Sequence, residues 1–191
     1  MKVDTYFMKY ISKNPIETIK IAKSLLKKLK GGKVLGLVGD LGAGKTVFVQ
    51  GLAEGLGIKE IVNSPTFVLM KAYKVTRNNK QDTCPPFARG EADGRRANKL
   101  QISSTKLQIN SKLQISKIKL LIHIDAYRLE SFDQLKEIGV EEYLNNKECL
   151  VVVEWADKVK DLNSYSNYLE IKFSEGKEQN ERIIEILGNR P

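Results

Sequence analysis

Residues 39–46 read GDLGAGKT and fit the pattern G-x-x-x-x-G-K-[ST], the segment that most clearly predicts chemistry. Glycines at this spacing let backbone amides wrap around a phosphate chain, and a following helix points its positive end at the same phosphates. Lys45 is placed to bridge the β- and γ-phosphates, and Thr46 to hold Mg²⁺ through its hydroxyl. The predicted nucleotide-binding residues are Gly39, Asp40, Leu41, Gly42, Ala43, Gly44, Lys45, Thr46 and Val47.

Two carboxylates stand where such a site needs acids to position a metal and a water. Asp125 and Glu154 each end an apolar run that reads as a buried strand. Ligands of open α/β sheets bind beyond the carboxyl ends of the strands. If both strands neighbour the strand predicted at 33–38, Asp125 and Glu154 point at the phosphates; otherwise they merely end strands at the surface. We therefore predict Lys45, Asp125 and Glu154 as catalytic, and Thr46, Glu154 and Asp125 as metal ligands.

The sequence also gives expectations for its histidine, its tryptophan and its two cysteines. His123, the only histidine, lies two residues before Asp125, and a buried, hydrogen-bonded histidine is favoured over a proton shuttle. Trp155 either packs over the loop or contacts a partner, and the sequence leaves both open. Cys149 reads as a small core residue and Cys84 as an exposed thiol.

The elements around these residues alternate between apolar strands and amphipathic helices, which favours an α/β fold. We predict a P-loop NTPase fold in which helices flank a central mixed, largely parallel sheet. The predicted strands are 3–10, 33–38, 67–75, Leu120–Asp125, Cys149–Glu154, and an antiparallel pair, 168–174 and 182–187, near the sheet edge. The predicted helices are 15–30, Lys45–Leu56 and 131–144.

One stretch differs in composition from the rest of the chain. Residues 77–119 hold ten Lys and Arg against three Asp and Glu, so they carry +7 of the net charge of +9. Within them a K-L-Q-I-[SN] unit begins at Lys99, Lys106 and Lys112. A solenoid or short coil is one interpretation, but three pentapeptides bury too little surface to fold alone. We favour a low-complexity insertion at about 77–118 that interrupts a single domain, residues 1–191.

Length and composition fit one globular domain. The chain has 191 residues, of which 41% are hydrophobic and 29% charged, and this excludes a fully disordered or fibrous chain. No run approaches the ~18 apolar residues of a membrane span. The first ten residues lack the apolar core of a secretory signal. We therefore expect a cytoplasmic protein without a membrane partner.

The nucleotide is predicted to be ATP rather than GTP. Guanine-specific proteins of this class use an N-K-x-D element, and residues 146–149 read NKEC instead. A D-x-x-G element is also missing after the fourth predicted strand, where residues 125–128 read DAYR.

Four motifs in this order resemble the bacterial TsaE family: GDLGAGKT at 39–46, SPTF at 64–67, HIDAYRL at 123–129, and Glu154 with Trp155. The likeness covers residues 1–75 and 119–190, and the insertion has no counterpart in it. The phosphate loop alone is generic, and the other three motifs make the resemblance specific.

The resemblance implies an ATPase component of the machinery that makes N6-threonylcarbamoyladenosine at position 37 of tRNA. Its partners would be the threonylcarbamoyltransferase subunit and the dimerising partner of that subunit, with tRNA met only indirectly through the complex. ATP hydrolysis with Mg²⁺ would reset this complex between turnovers. Two rival functions stay open: a small-molecule or nucleotide kinase, and a non-hydrolysing, nucleotide-gated binding module.

The resemblance also implies residue roles. Lys45 would hold phosphates, Thr46 and Glu154 the Mg²⁺, and Asp125 would orient water or metal. The segment Ser64, Pro65 and Thr66 would form a switch-like loop, and Tyr127, Arg128 and Trp155 would belong to the switch or partner surface. One departure is Val47, because family members often carry a second hydroxyl there. Arg128 is a candidate arginine finger, with a partner's arginine as the alternative, so we expect slow hydrolysis by the chain alone.

Overall fold

Seven strands and two longer helices dominate the computed structural model, which describes residues 5–29, 32–76 and 117–189. The strands are β1 (Thr5–Ser12), β2 (Val34–Val38), β3 (Met70–Lys74), β4 (Leu120–Asp125), β5 (Cys149–Glu154), β6 (Tyr168–Glu175) and β7 (Arg182–Asn189). The helices are α1 (Pro15–Leu26), α2 (Lys45–Leu56), α3 (Phe132–Glu137) and α4 (Glu141–Leu144), with short 3-10 helices at Ala156–Lys158 and Lys160–Ser164. None of the described helices is long and apolar enough to cross a membrane.

All seven strands join one sheet in the order β1-β7-β6-β2-β5-β4-β3. Strands β6, β2, β5 and β4 run parallel, whereas β1, β7 and β3 pair antiparallel with their neighbours. Every residue of β5 is buried, as expected for a parallel strand covered on both faces. The prediction of a mixed α/β sheet, largely parallel at its centre, is confirmed.

The two faces of the sheet are packed against different elements. Helices α1 and α2 cover one face, where Leu121 and Val152 join their core. The helices α3 and α4 and the 3-10 turns cover the other face, where Ile122 and Val151 lie. Because side chains alternate along a strand, the residues of β4 and β5 that follow Leu121 and Val152 by two or four positions face α2. His123, Asp125 and Glu154 are such residues.

Helices α1 and α2 begin and end at residues that favour helix boundaries. Asn14 caps α1, since its Oδ1 accepts a hydrogen bond from the Glu17 amide at 3.0 Å. The regular helix ends at Leu26, short of the predicted residue 30. Helix α2 matches its predicted bounds, because Gly57 ends it in the left-handed region with φ +80°.

The helix predicted at 131–144 is two helices. Ser131 caps α3, accepting from the Gln134 amide at 3.4 Å. Gly139 then adopts φ +80° between the two helices, after α3 has ended and before α4 begins. The prediction of one continuous helix was wrong because the apolar spacing continues across Gly139 without a visible break.

The strand predicted at 67–75 begins only at Met70. Residues 66–69 form a turn, in which the amides of Val68 and Leu69 donate to the Pro65 carbonyl at 2.9 and 2.7 Å. Leu69 adopts φ +61°, a conformation that a leucine seldom adopts. This turn brings residues 64–66 back toward the end of β4.

The predicted insertion, its repeats and Cys84 lie outside the described residues, apart from Lys117 and Ile118. The segments that flank it are hydrogen-bonded to each other, because the Val75 amide donates to the Lys119 carbonyl at 2.9 Å. These attachment points lie where β3 ends and β4 begins. Asp125 lies at the opposite end of β4, roughly 20 Å away at ~3.3 Å per residue.

Candidate active site

A cleft of about 550 Å³ opens at the carboxyl ends of β2, β4 and β5. It is the place where the sheet brings the predicted site residues together. The lining residues are Leu41, Gly42, Gly44, Lys45, Thr46, Val47, Ser64, Thr66, Asp125, Tyr127, Glu154 and Trp155.

The glycine-rich loop, residues 39–46, adopts a backbone that needs glycine. Gly42 and Gly44 have φ values of +79° and +97°, while a Cβ on either would meet no atom within 4 Å. The backbone angle, rather than lack of space, therefore selects glycine at both positions. Gly44 is the N-cap of α2, so the unpaired amides and the positive end of this 12-residue helix face the cleft.

Lys45 is buried at the start of α2. Its Nζ donates to the carbonyl oxygens of Gly39 and Asp40 at 2.7 and 2.8 Å and lies 3.7 Å from the centroid of the Trp155 ring. Burial lowers the pKa of the ammonium, although the charges of Glu154 and Asp125 act in the opposite direction. An anion bound beside Lys45 would offset this desolvation and favour the charged form.

Thr46 and Glu154 converge from α2 and β5. The threonine hydroxyl lies 3.0 and 3.1 Å from the two carboxylate oxygens, to which it donates. This contact exists because β5 is the direct neighbour of β2, with Glu154 level with Leu37. The same carboxylate has a second partner that the sequence analysis did not assign, since Nε2 of His123 lies 2.8 Å from its Oε1.

Asp125 is held by three donors. Its Oδ2 accepts from the hydroxyls of Ser64 and Thr66 at 2.6 and 2.7 Å, and its Oδ1 accepts from the Tyr127 amide at 2.9 Å. Burial alone would raise the pKa of Asp125, but these hydrogen bonds to the ionised form outweigh it and hold the pKa below its usual 3.8. The loop at 64–66 and the end of β4 are thereby fastened together.

Replacing both loop hydroxyls, Ser64→Ala with Thr66→Val, is expected to raise the pKa of Asp125. In the wild type the folded pKa is depressed, so the contribution of Asp125 to stability is present above about pH 4 and is lost as the pH falls through the folded pKa. In the double variant the folded pKa moves up toward the unfolded value, so this contribution becomes smaller and its loss is complete at a higher pH. Urea unfolding from about pH 3 to 7 measures this change. At each pH, the free energy of unfolding of each protein is compared with that of its own Asp125→Asn derivative. Difference curves that are the same for the wild type and the double variant would contradict this prediction.

The aromatic residues of the cleft form one group. Trp155 has φ +60°, so the chain turns sharply after β5 and lays the indole over Lys45. The Tyr127 ring packs edge-on against Trp155, with centroids 5.1 Å apart. Arg128 does not line the cleft, and its guanidinium lies 5.4 Å from the Phe67 ring centroid instead.

The donors present fit a magnesium–triphosphate group. Among the described residues no cluster of three His, Cys, Asp or Glu side chains is arranged to hold a metal alone. Mg²⁺ usually takes one or two carboxylates together with phosphate oxygens and water. The Thr46 hydroxyl, the Glu154 carboxylate and the adjacent Lys45 ammonium supply the protein side of such a shared site.

Comparison with known proteins decides the family. The sequence model described as threonylcarbamoyl adenosine biosynthesis protein TsaE matches residues 12–83 and 86–184. The chain belongs to the TsaE family. The resemblance predicted from the motifs is confirmed. The matched ranges begin at residue 12 and end at residue 184, and they also include most of residues 77–118, for which no counterpart was expected.

Several TsaE proteins are similar to the chain over most of its length. The tRNA threonylcarbamoyladenosine biosynthesis protein TsaE of Bacillus subtilis is 32% identical over 183 residues, covering 96% of this chain and 88% of the relative. TsaE of Aquifex aeolicus is 30% identical over 146 residues, covering 75% and 73%. The crystal structure of Bacillus subtilis YdiB superposes with a TM-score of 0.59 and 27% identity, covering 97% of this chain and 87% of YdiB. The TsaE family is involved in tRNA threonylcarbamoyladenosine biosynthesis.

Proposed function

We propose that the chain is a P-loop ATPase that binds ATP with Mg²⁺ and hydrolyses it to support turnover of the threonylcarbamoyltransferase complex. The observation that carries this proposal is the contact between the Thr46 hydroxyl and the Glu154 carboxylate beside the Lys45 ammonium. A hydroxyl, an acid and an ammonium at the start of one helix match what a magnesium-bound triphosphate requires.

Each side chain has a defined task in this proposal. The amides of the glycine-rich loop and Lys45 bind the phosphates and offset their charge. The Thr46 and Glu154 oxygens hold Mg²⁺, which when bound neutralises charge that develops on the phosphoryl oxygens. Asp125, at the end of β4, orients the attacking water. Positioning and charge neutralisation supply most of the acceleration in phosphoryl transfer, so no covalent step is required of the protein.

Slow hydrolysis by the chain alone follows from the lining of the cleft. Among the described residues that line it, Lys45 is the only cation, and no arginine is present. Arginine fingers raise phosphoryl-transfer rates by about 10³–10⁵. The proposal therefore assigns the missing stabilisation to a partner that closes over the cleft.

The rim of the cleft suits such a partner. Leu41 and Tyr127 line the cleft and are exposed, and Phe67, which follows the lining residue Thr66, is 89% exposed. Clustered apolar side chains at the surface are typical of protein interaction sites. We assign this rim to the transferase subunit and its dimerising partner. The residues that flank the predicted insertion lie where β3 ends and β4 begins, at the end of these strands opposite Asp125.

Phosphate release from ATP, measured with and without the transferase subunit and its partner, tests the proposal. We expect the rate to rise when both are added, and an Asp125→Ala variant to release no phosphate while still binding ATP. A pull-down with and without ATP, repeated after deletion of residues 77–117, is expected to retain the complex in both proteins. Equal hydrolysis rates with and without partners would contradict the proposal.

Two other outcomes would identify the rival functions. Loss of ATP that depends on an added acceptor, without release of free phosphate, would show a kinase. Survival of threonylcarbamoyladenosine formation in the Asp125→Ala variant, with ATP binding intact, would show a nucleotide-gated binding module. Each outcome replaces the ATPase proposal.

A further inference from the structure

The single histidine lies deep in the sheet and contacts an acid of the cleft. His123 is 0% exposed, and its Nε2 lies 2.8 Å from Oε1 of Glu154. An ionised carboxylate can only accept, so Nε2 carries the hydrogen and donates. This contact crosses from β4 to β5, where His123 is level with Val152 and Glu154 is two residues further along the same face.

The other ring nitrogen of His123, Nδ1, makes no comparable contact among the described residues. Its Nδ1 is buried without a hydrogen-bond partner among the described residues. Most buried polar atoms in proteins are paired, and an unpaired one is unfavourable. The described part of the chain therefore gives the imidazole one polar contact, and that contact is with Glu154.

Two elements hold the Glu154 carboxylate from different directions. Oε1 lies within hydrogen-bond distance of both His123 and the Thr46 hydroxyl, whereas Thr46, at 3.1 Å, is the one contact of Oε2 among the described residues. A glutamate side chain rotates about three bonds, so one hydroxyl does not fix its orientation. With the imidazole on Oε1 and the Thr46 hydroxyl between the two oxygens, the orientation of the carboxylate is defined and Oε2 stays within reach of Thr46.

We propose that His123 is a positioning residue that orients the Glu154 carboxylate for the magnesium–nucleotide complex. The inference rests on the proposed function, because it concerns the acid assigned there to Mg²⁺. Mg²⁺ demands near-octahedral geometry with oxygens at about 2.0–2.1 Å, so a carboxylate that swings away from Thr46 binds it poorly. Removal of a residue that hydrogen-bonds to a metal ligand typically lowers metal affinity by about 10–100-fold.

Three substitutions at one position separate orientation from packing. His123→Gln places an amide nitrogen near the position of Nε2 and keeps a donor for Glu154. His123→Asn places its amide nitrogen near Nδ1, too short to reach the carboxylate, while it stays polar. His123→Leu fills the space without any donor. Thermal unfolding shows which of the variants are folded. If His123→Leu does not fold, the comparison of His123→Gln with His123→Asn is sufficient to test the role of the donor.

Calorimetry with a β,γ-imido analogue of ATP, at increasing Mg²⁺ concentration, gives a readout other than activity. In His123→Asn and His123→Leu, we expect a rise of about 10–100-fold in the Mg²⁺ concentration at which Mg²⁺-dependent binding of the analogue is half-maximal. We expect His123→Gln to stay near the wild type, and all variants to bind the analogue equally without Mg²⁺.

Two results would overturn the positioning role. The first is equal Mg²⁺ dependence in the wild type and in His123→Asn. The second is equal impairment in the Gln and Asn variants, which would indicate packing alone. Failure of the wild type to bind the analogue at all would instead contradict the proposed function.

Discussion

Replacing Lys45 with methionine is expected to lower kcat/KM for ATP by at least about 10²–10³, the usual effect of removing one charge-stabilising donor from an active site. Methionine keeps the length of the side chain but removes the ammonium that lies between the loop carbonyls and the Trp155 ring. The phosphates then lose the only cation that lines the described part of the cleft. The loss should appear in both nucleotide affinity and rate.

The Lys45→Met protein is expected to fold. Burial lowers the pKa of Lys45, which means that the folded state is penalised for holding this charge. Removing the charge relieves that penalty, so the unfolding midpoint should not fall steeply. Lys74→Met is the matched control, because Lys74 is exposed at the end of β3 furthest from the cleft. Phosphate release and calorimetry on both variants check the prediction, and similar kinetics for the two would contradict it.

The sequence predicted best those parts of the molecule in which local chemistry determines structure. Helix α2 was placed to the residue, because Gly44 and Gly57 both take positive φ and end the helical backbone. The bounds of β4 and β5 were also predicted to the residue, because their apolar runs stop at a carboxylate. In each case the signal lies within the element or directly beside it in the sequence.

The errors arose at local backbone conformations that hydrophobic periodicity does not report. Gly139 interrupts an apolar spacing that otherwise continues, so 131–144 reads as one helix. Leu69 adopts a left-handed conformation that its residue type does not indicate, and hydrogen bonds to Pro65 stabilise the turn around it. Neither feature is visible in hydrophobic periodicity.

The candidate site was predictable as a set of residues but not as a network. Motifs and strand ends named Thr46, Asp125 and Glu154. The contact between His123 and Glu154 depends on the register of β4 against β5, which no single-strand pattern contains. The position of His123 two residues before Asp125 is visible in the sequence, but this spacing does not identify Glu154, on the neighbouring strand, as its partner.

Strain in the chain is concentrated beside the cleft. Leu69 and Trp155 are the two residues other than glycine with positive φ in the described part of the chain. Leu69 lies in the turn that follows Thr66, whose hydroxyl donates to Asp125, and Trp155 directly follows Glu154. Such conformations cost about 1–3 kcal/mol and persist where surrounding contacts enforce them. The contacts of Trp155 with Lys45 and Tyr127 are the ones that enforce it here.

Replacing Glu154 with glutamine is expected to lower the Mg²⁺-dependent hydrolysis of ATP by about 100-fold or more, since one transition-state contact is worth 10²–10³. Glutamine has the same shape and can still accept from Thr46, but it lacks the negative charge and presents an NH₂ group to the metal. Binding of ATP without Mg²⁺ should be unchanged or slightly stronger, because a negative charge beside the phosphates is removed. The substitution therefore separates metal binding from phosphate binding.

Glu148→Gln is the matched control for Glu154→Gln. Glu148 immediately precedes β5, at the end away from the cleft, where its exposed carboxylate pairs with Lys119 at 2.6 Å. Exposed ion pairs contribute about 0–1 kcal/mol, so this variant should retain wild-type hydrolysis and stability. Phosphate release at several Mg²⁺ concentrations distinguishes the two proteins. Hydrolysis by Glu154→Gln within a few-fold of the wild type, with the same Mg²⁺ dependence, would remove Glu154 from the metal site and with it the arrangement on which His123 acts.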